Sequence, residues 1–400
     1  MAVNIAILGF GTVGSGVADI LAMNGASIEA KTGKKIELKH ILDLRDFPDS
    51  PFASLVTHNA DDVFEDPDLQ IIIETIGGAR IAYEYTKRAL SKGISVVTSN
   101  KELVSTHGVE LLKIAEDNGC SYLYEAAVGG GIPIIQPLYR DLAANKIVRI
   151  AGIVNGTTNY ILSQMKDNGI SYEEALKEAQ ENGFAEADPT ADVEGIDAQR
   201  KLSILSTIAL EGNYVSPDEI NAEGISKLTL DDIDFEEKAQ AELKLIAYFE
   251  NADNGAIAYV APTYVARGNL LASVSGVFNA VMVDGNALGV SMYYGKGAGT
   301  MPTASAVFGD IIQAAVTEGR PAESRLWKEG SVKLVPYADV KADIVVRLDS
   351  KADELLKIFE GYSPVALDCG DAVIVTSITH GEADRLCAQA DGAKWFHILR

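Results

Sequence analysis

Short apolar runs alternate with helix-period segments through the first third of the chain. Val3–Leu8 predicts a buried strand, and Thr12–Met23 a helix after a glycine turn. Strands follow at Lys35–Leu42, Leu69–Glu74, Ile94–Thr98 and Ser121–Tyr124, with helices at Ala79–Ser91 and Thr106–Asn118. Strands separated by helices make βαβ units and a parallel sheet. The pattern changes at Glu125–Pro137, where Val128-Gly129-Gly130-Gly131-Ile132-Pro133 reads as a hinge or a backbone-lined site.

The middle of the chain reads differently. A strand at Lys146–Val154 and a helix at Tyr160–Asn168 precede a helix at Ser171–Asn182, which Ser171 and Glu174 open as a capping box and Gly183 stops. Ile196–Glu211 is a long helix with an apolar face. The runs Leu243–Glu250, Ala256–Ala266, Val277–Val283 and Leu288–Tyr293 are strands, mostly antiparallel by their short links, and Thr303–Thr317 is a helix placed to return to the first domain. The end of the chain is βαββαβ: Asp343–Leu348, Ala352–Glu360, Ser363–Asp368, Ala372–Ile378, Glu382–Ala390 and Lys394–Leu399, a ferredoxin-like order. The expected fold class is α/β. A doubly wound Rossmann domain takes 1–135, with 300–335 returning to it; an α+β domain takes 136–299; a small ferredoxin-like module takes 341–400.

Composition narrows the function. The 400 residues carry 57 acids and 34 basic residues, a net charge of −23, so a phosphate backbone is repelled and nucleic acid is not an expected partner. No apolar run reaches membrane-span length, and the N-terminus has no basic region or cleavage site. Three scattered cysteines, Cys120, Cys369 and Cys387, make neither a disulfide framework nor a metal cluster and fit a reducing cytoplasm.

Gly9-Phe10-Gly11-Thr12-Val13-Gly14 is a G-x-G-x-x-G turn between a strand and a helix, the arrangement that seats a dinucleotide pyrophosphate. Asp43, at the end of the second strand, suits a ribose 2′-hydroxyl and so favours NAD; Arg45 is the alternative, as a 2′-phosphate partner. Lys101, just past the fourth strand, lies where ligands bind in open α/β sheets, or is a solvated lysine. Glu186, Asp188, Asp192, Glu194 and Asp197 precede Lys201. Asp197 and Lys201 share a helix face, either as a proton-transfer pair or as a surface salt bridge. Glu125 with the carbonyls of the glycine turn offers oxygen ligands to a hard cation, or marks a hinge without one.

Taken together these motifs resemble the homoserine dehydrogenases. The resemblance runs through residues 1–320, in GFGTVG at 9–14, TSNK at 98–101, EAAVGGGIPII at 125–135, GIVNGTTNYIL at 152–162, GFAEADPTADVEGIDAQRKLSIL at 183–205 and YYGKGAGTMPTASAVFGDI at 293–311. It implies interconversion of L-homoserine and L-aspartate 4-semialdehyde with NAD or NADP. It implies Lys201 as proton donor and Lys101 as a second lysine near nicotinamide and substrate. Glu186 and Asp197 match carboxylates that hold the substrate ammonium, Asp192 supports them, and Gly156 and Thr157 line the pocket. Phe10, Thr12, Val13, Gly183 and Gly299 match cofactor contacts. Glu125, with the backbones of Val128, Gly130 and Ile132, matches a sodium site. The middle domain is then catalytic and dimerising, the assembly a homodimer or homotetramer, and the tail ACT-like. Two positions depart from the family. Phe184 stands where many relatives have tyrosine, and Leu348-Asp349-Ser350-Lys351 lacks the Asp-x-Pro-Gly turn of ligand-binding regulatory modules, which argues against threonine feedback.

Overall fold

A computed structural model of the chain describes residues 2–317, 325–330, 332–349 and 351–400. Residues 318–324 and 331 of the returning stretch, and Ser350 of the departing turn, lie outside the described residues. Two compact units form: Met1–Lys146 with Ser203–Pro217 and Tyr293–Ser331, and Ile147–Leu202 with Asp218–Met292 and Val332–Arg400.

The first unit holds a six-stranded sheet of β1 (Val3–Leu8), β2 (Ile36–Leu42), β3 (Val56–Thr57), β4 (Leu69–Glu74), β5 (Ser95–Thr98) and β6 (Tyr122–Leu123). All its pairs are parallel and its order is β3-β2-β1-β4-β5-β6, the doubly wound arrangement of dinucleotide-binding domains. Ile5 and Ile7 of β1 and Ile71 and Ile73 of β4 pack with Val17 and Ala18 of the first helix. Val307, Phe308 and Ile311 of the helix Thr300–Val316 complete that core. Gly16 permits the approach: a Cβ there would sit 2.9 Å from the Thr300 methyl.

Two helices differ from expectation. The first runs Thr12–Thr32, past the predicted end at Met23, so the polar stretch 24–34 is mostly outer helix rather than an insert. Nothing breaks the backbone until Gly33, which takes a left-handed conformation and returns its N–H to Glu29. The helix predicted from Thr106 starts at Lys101, because Asn100 caps it by accepting the Leu103 N–H at 3.0 Å. The strand β3 and the helix Ala60–Phe64 are too short and polar to carry a periodic signal.

The second unit is built on a ten-stranded sheet. Its strands are β7 (Ile147–Ile153), β8 (Asn221–Ala222), β9 (Ala241–Ala252), β10 (Gly255–Ala266), β11 (Phe278–Gly285), β12 (Gly289–Lys296), β13 (Lys341–Arg347), β14 (Val365–Ala366), β15 (Ala372–Thr379) and β16 (Lys394–Leu399). The order is β12-β11-β7-β9-β10-β16-β13-β15-β14, with β8 also on β10. The C-terminal segment therefore does not form a separate sheet: β16 pairs parallel with β10 at Thr263–Val265. Its own order, β16-β13-β15-β14, is antiparallel throughout.

An ion cluster built on a buried carboxylate ties this segment down. Asp232, on the helix Leu230–Ala239, accepts from Arg347 of β13 at 2.6 Å and from Lys394 of β16 at 3.0 Å. The Arg347 guanidinium also lies 4.4 Å over the Phe235 ring. Removing one partner of a buried pair strands the other charge. Asp232→Ala is expected to cost about 3–5 kcal/mol, read as a lowered urea midpoint of unfolding; an unchanged midpoint contradicts this.

Candidate active site

The glycine turn of the first unit is fixed by its neighbours. Gly9 has φ +91°, its N–H donates to Leu42 O at 2.8 Å, and a Cβ on it would sit 2.8 Å from Thr75 O. A Cβ on Gly14 would collide with the Gly9 carbonyl oxygen, so this glycine is sterically obligatory. Gly11 ends the turn as N-cap of the helix. No side chain caps that helix and no acid stands in its first turn, which leaves its N–H groups to a bound anion. Phe10 is buried against Phe47 and Phe52 and so presents backbone only, whereas Thr12 is exposed and Val13 packs on the core.

Asp43 is less open than its position suggested. Its carboxylate is 7 % exposed and accepts the Phe10 N–H at 2.7 Å, the Arg45 N–H at 3.0 Å, and Nε and Nη2 of Arg45 at 3.0 Å each. The Arg45 guanidinium holds its pKa down at about 2, and its four lone-pair directions are filled. Arg45 itself is 62 % exposed. Gly9, Gly11, Asp43, Arg45, Thr75 and Ile76 line a cavity of about 590 Å³ beside the turn. Lys101 is the first residue of its helix, at the carboxyl end of the sheet. Gly299, φ +118°, is the N-cap of the helix Thr300–Val316.

The expected cation turn has another use for its acid. Glu125 is 4 % exposed, and its carboxylate accepts backbone N–H groups from Ile134 at 2.6 Å, Ile135 at 2.9 Å and Gln136 at 2.6 Å. Burial pushes its pKa up, against those three bonds. The carboxylate thus satisfies the N–H groups at the start of the helix Ile135–Tyr139. Val128 and Ile132 are buried, and Gly130, φ +54°, lies so close to the Gly297 carbonyl that no Cβ fits. Among the described residues, no group of three or more His, Cys, Asp or Glu side chains is placed to hold a metal ion.

In the second unit the strand β7 delivers the loop Val154–Asn155 to the start of the helix Gly156–Asn168. Asn155 caps that helix, its Oδ1 accepting the Thr158 N–H at 2.9 Å. Its amide nitrogen donates to Asp192 at 2.7 Å and to Asp197 at 2.8 Å. Lys201, on the helix Ile196–Ala209, donates to Asp197 Oδ2 at 2.6 Å and to Val154 O at 2.7 Å. Asp197 is 3 % exposed and Lys201 9 %, so this is a buried ion pair and not a surface one. Gly156 lies close to β11, where a Cβ would sit 2.9 Å from Val277 O. Thr157 donates to Phe184 O at 2.7 Å. Gly183, φ +73°, follows the helix Tyr172–Glu181 and its C-cap Asn182, and Glu186 is exposed three residues on.

The comparisons with known proteins decide the family. A family model described as "Homoserine dehydrogenase" matches residues 133–312, and one described as "Homoserine dehydrogenase, NAD binding domain" matches 9–125. Homoserine dehydrogenase of Pseudomonas aeruginosa is 42 % identical over 311 residues, covering 78 % of this chain and 71 % of its own length. The solved homoserine dehydrogenase of Thiobacillus denitrificans superposes with TM-score 0.91 at 34 % identity, covering 100 % of this chain and 98 % of that one. A hyperthermophilic archaeal homoserine dehydrogenase in complex with NADPH gives TM-score 0.67 at 30 % identity, over 79 % of this chain and 98 % of its own.

The chain belongs to the homoserine dehydrogenase family.

It is an NAD(P)-linked oxidoreductase that interconverts L-homoserine and L-aspartate 4-semialdehyde in amino-acid biosynthesis. Against that chemistry, the residue the sequence reading missed is Asn155. Its signal was present, since an asparagine before Gly-Thr-Thr at a strand-to-helix junction is an N-cap. What no pattern shows is that the same amide separates two homoserine dehydrogenase carboxylates 37 and 42 residues away. Asn155→Ala removes a cap worth about 1 kcal/mol and leaves Asp192 and Asp197 without the donor between them. The expected result is turnover lowered roughly tenfold, a loss far beyond what the modest change in thermal midpoint explains. Wild-type turnover in that variant would show that the amide does no more than cap the helix.

Proposed function

We propose that Lys201 is the proton donor and acceptor of the dehydrogenase reaction. The observation behind this is a buried ammonium with two of its three donors spent on Asp197 and Val154. The third is left for the substrate oxygen. The nicotinamide, when bound, supplies or accepts the hydride. Lys201 gives its proton to the carbonyl oxygen of the semialdehyde as the carbon is reduced; in the other direction it takes the hydroxyl proton of homoserine. Asp197 holds the amine in place. Glu186 and Asp197, supported by Asp192, are assigned to the substrate ammonium, Gly156 and Thr157 to the pocket wall, and Lys101 to the region of nicotinamide and substrate. Phe10, Thr12, Val13, Gly183 and Gly299 are assigned to the cofactor.

Lys201→Ala is expected to lower kcat by about a hundredfold or more, with cofactor binding by fluorescence titration retained. Homoserine oxidation should rise with pH and semialdehyde reduction fall, because the two directions need opposite protonation of the same amine. Lys101→Ala is the control. Near-normal kcat in Lys201→Ala with turnover abolished in Lys101→Ala would reverse the two roles.

The cofactor reading leans to NAD, because Asp43 carries a negative charge where a 2′-phosphate would sit. A second reading, NADP, has its own support. Asp43 is saturated and neutralised by Arg45, and the exposed guanidinium stands at the cavity rim. The archaeal relative solved with NADPH is consistent with it. Steady-state kcat/KM with both cofactors decides: a tenfold preference for NADP that Arg45→Ala abolishes establishes the second reading, and an NAD preference that survives Arg45→Ala establishes the first.

Three further assignments follow the family resemblance. A sodium ion at the glycine turn would rest on the backbone carbonyls of Glu125, Val128, Gly130 and Ile132, since the Glu125 carboxylate is committed to N–H groups. A homodimer or homotetramer is supported by exposed Leu270, Leu288 and Val290 in the second unit. The tail is ferredoxin-like and ACT-like by its order β16-β13-β15-β14. The setting of the enzyme is cytoplasmic in this reading, without nucleic-acid or membrane partners; among the described residues no helix is long and apolar enough to cross a membrane.

A further inference from the structure

Glu74 is the last residue of β4, fully buried, and no step above uses it. Its Oε1 accepts the Ile76 N–H at 2.7 Å and its Oε2 the Thr98 hydroxyl at 2.6 Å. The Thr98 oxygen accepts the Asn100 N–H at 2.9 Å. Asn100 caps the helix that Lys101 begins, and its amide nitrogen donates to Gly78 O at 2.9 Å. One carboxyl thus joins the loop after β4 to the loop after β5. Ile76 and Gly77 of the first loop line the cavity beside the glycine turn. Thr75, between Glu74 and that loop, donates to Gly9 O at 2.7 Å.

A buried carboxyl with no cation beside it is costly. Burial pushes the Glu74 pKa up to about 7, against the bonds from Thr98 and Ile76. Both contacts aim donors at it, an arrangement that suits the charged form, which only accepts. A protonated Oε2 would compete with the Thr98 hydroxyl to donate. Tyr122 of β6 feels this charge, and its buried hydroxyl has no hydrogen-bond partner among the described residues. Asp310, on the helix Thr300–Val316 that packs on β4, is turned instead to the Glu125 N–H and to Gln136.

We propose that Glu74 is a positioning residue for the dehydrogenase reaction, holding the cavity-lining loop and the Asn100 cap in register so that Lys101 stands correctly against cofactor and substrate. The proposal rests on the assignment of Lys101 made above.

Glu74→Gln keeps the size and removes the charge. It is expected to lower kcat for homoserine oxidation roughly tenfold at pH 8.5 and to remove the part of the expected rise with pH around neutrality that ionisation of Glu74 contributes. Its stability moves the other way. A carboxyl whose pKa is raised on folding costs stability increasingly as pH climbs from the unfolded value through the folded one, so at pH 8.5 the glutamine variant should melt no lower than the parent. Thr98→Val should repeat the kinetic loss, and Thr98→Ser should restore turnover. In a Lys101→Ala background the effect of Glu74→Gln should largely disappear, because both act at one point. Parent-like kcat and pH profile in Glu74→Gln overturn the proposal, as does a loss of full size in the Lys101→Ala background. If Lys101→Ala alone leaves kcat and cofactor KM unchanged, the assignment of Lys101 fails by itself and takes this proposal with it.

Discussion

A buried amine is stabilised by a carboxylate held against it, and in the second unit the elements around Lys201 keep Asp197 in that place. Lys201 and Asp197 sit one helical turn apart, so their 2.6 Å contact costs the backbone nothing. The burden passes to the next carboxylate. Asp192 shares the Asn155 amide with Asp197, and an unscreened pair of acids there would repel. Asn155 can serve both only because β7 ends where it does and the helix Gly156–Asn168 begins at once. Placement of strand, cap and ion pair is therefore one constraint and not three.

The first unit solves a different problem with similar means. Parallel strands end in loops that would wander if left to themselves, and here short polar side chains hold them: Thr75 to Gly9, Asp43 to Phe10, Asn100 to Gly78. Each bond is between residues far apart in sequence, so the crest behaves as a single surface. The rigidity matters because hydride transfer tolerates little error in the distance between reacting atoms.

The sheet of the first unit was legible because its strands are continuous apolar runs, and Gly9, Gly11 and Gly14 announced the turn. The first helix was cut short because Asn24 to Lys34 are polar, and polarity marks an outer face as readily as a loop. The spacing of Asp197 and Lys201 was legible; their burial was not, since the cover comes from chain elsewhere. Asp43 was readable as an acid at a strand end, but its saturation by Arg45 is a matter of rotamers. Glu125 was readable as an acid beside a glycine turn, but its three backbone N–H donors were not, since they come from residues nine to eleven positions on.

The pairing of β16 with β10 has a consequence for how the chain can be shortened. Between Thr263 and Val265 the outer row of β10 amides and carbonyls is closed by β16. A chain ending before that strand would leave this row open, and an open row is a template for any other extended segment. The C-terminal segment is thus a seal on a sheet edge, whatever else it does. Loss of that strand would both open this edge and part β13, β15 and β14 from β10.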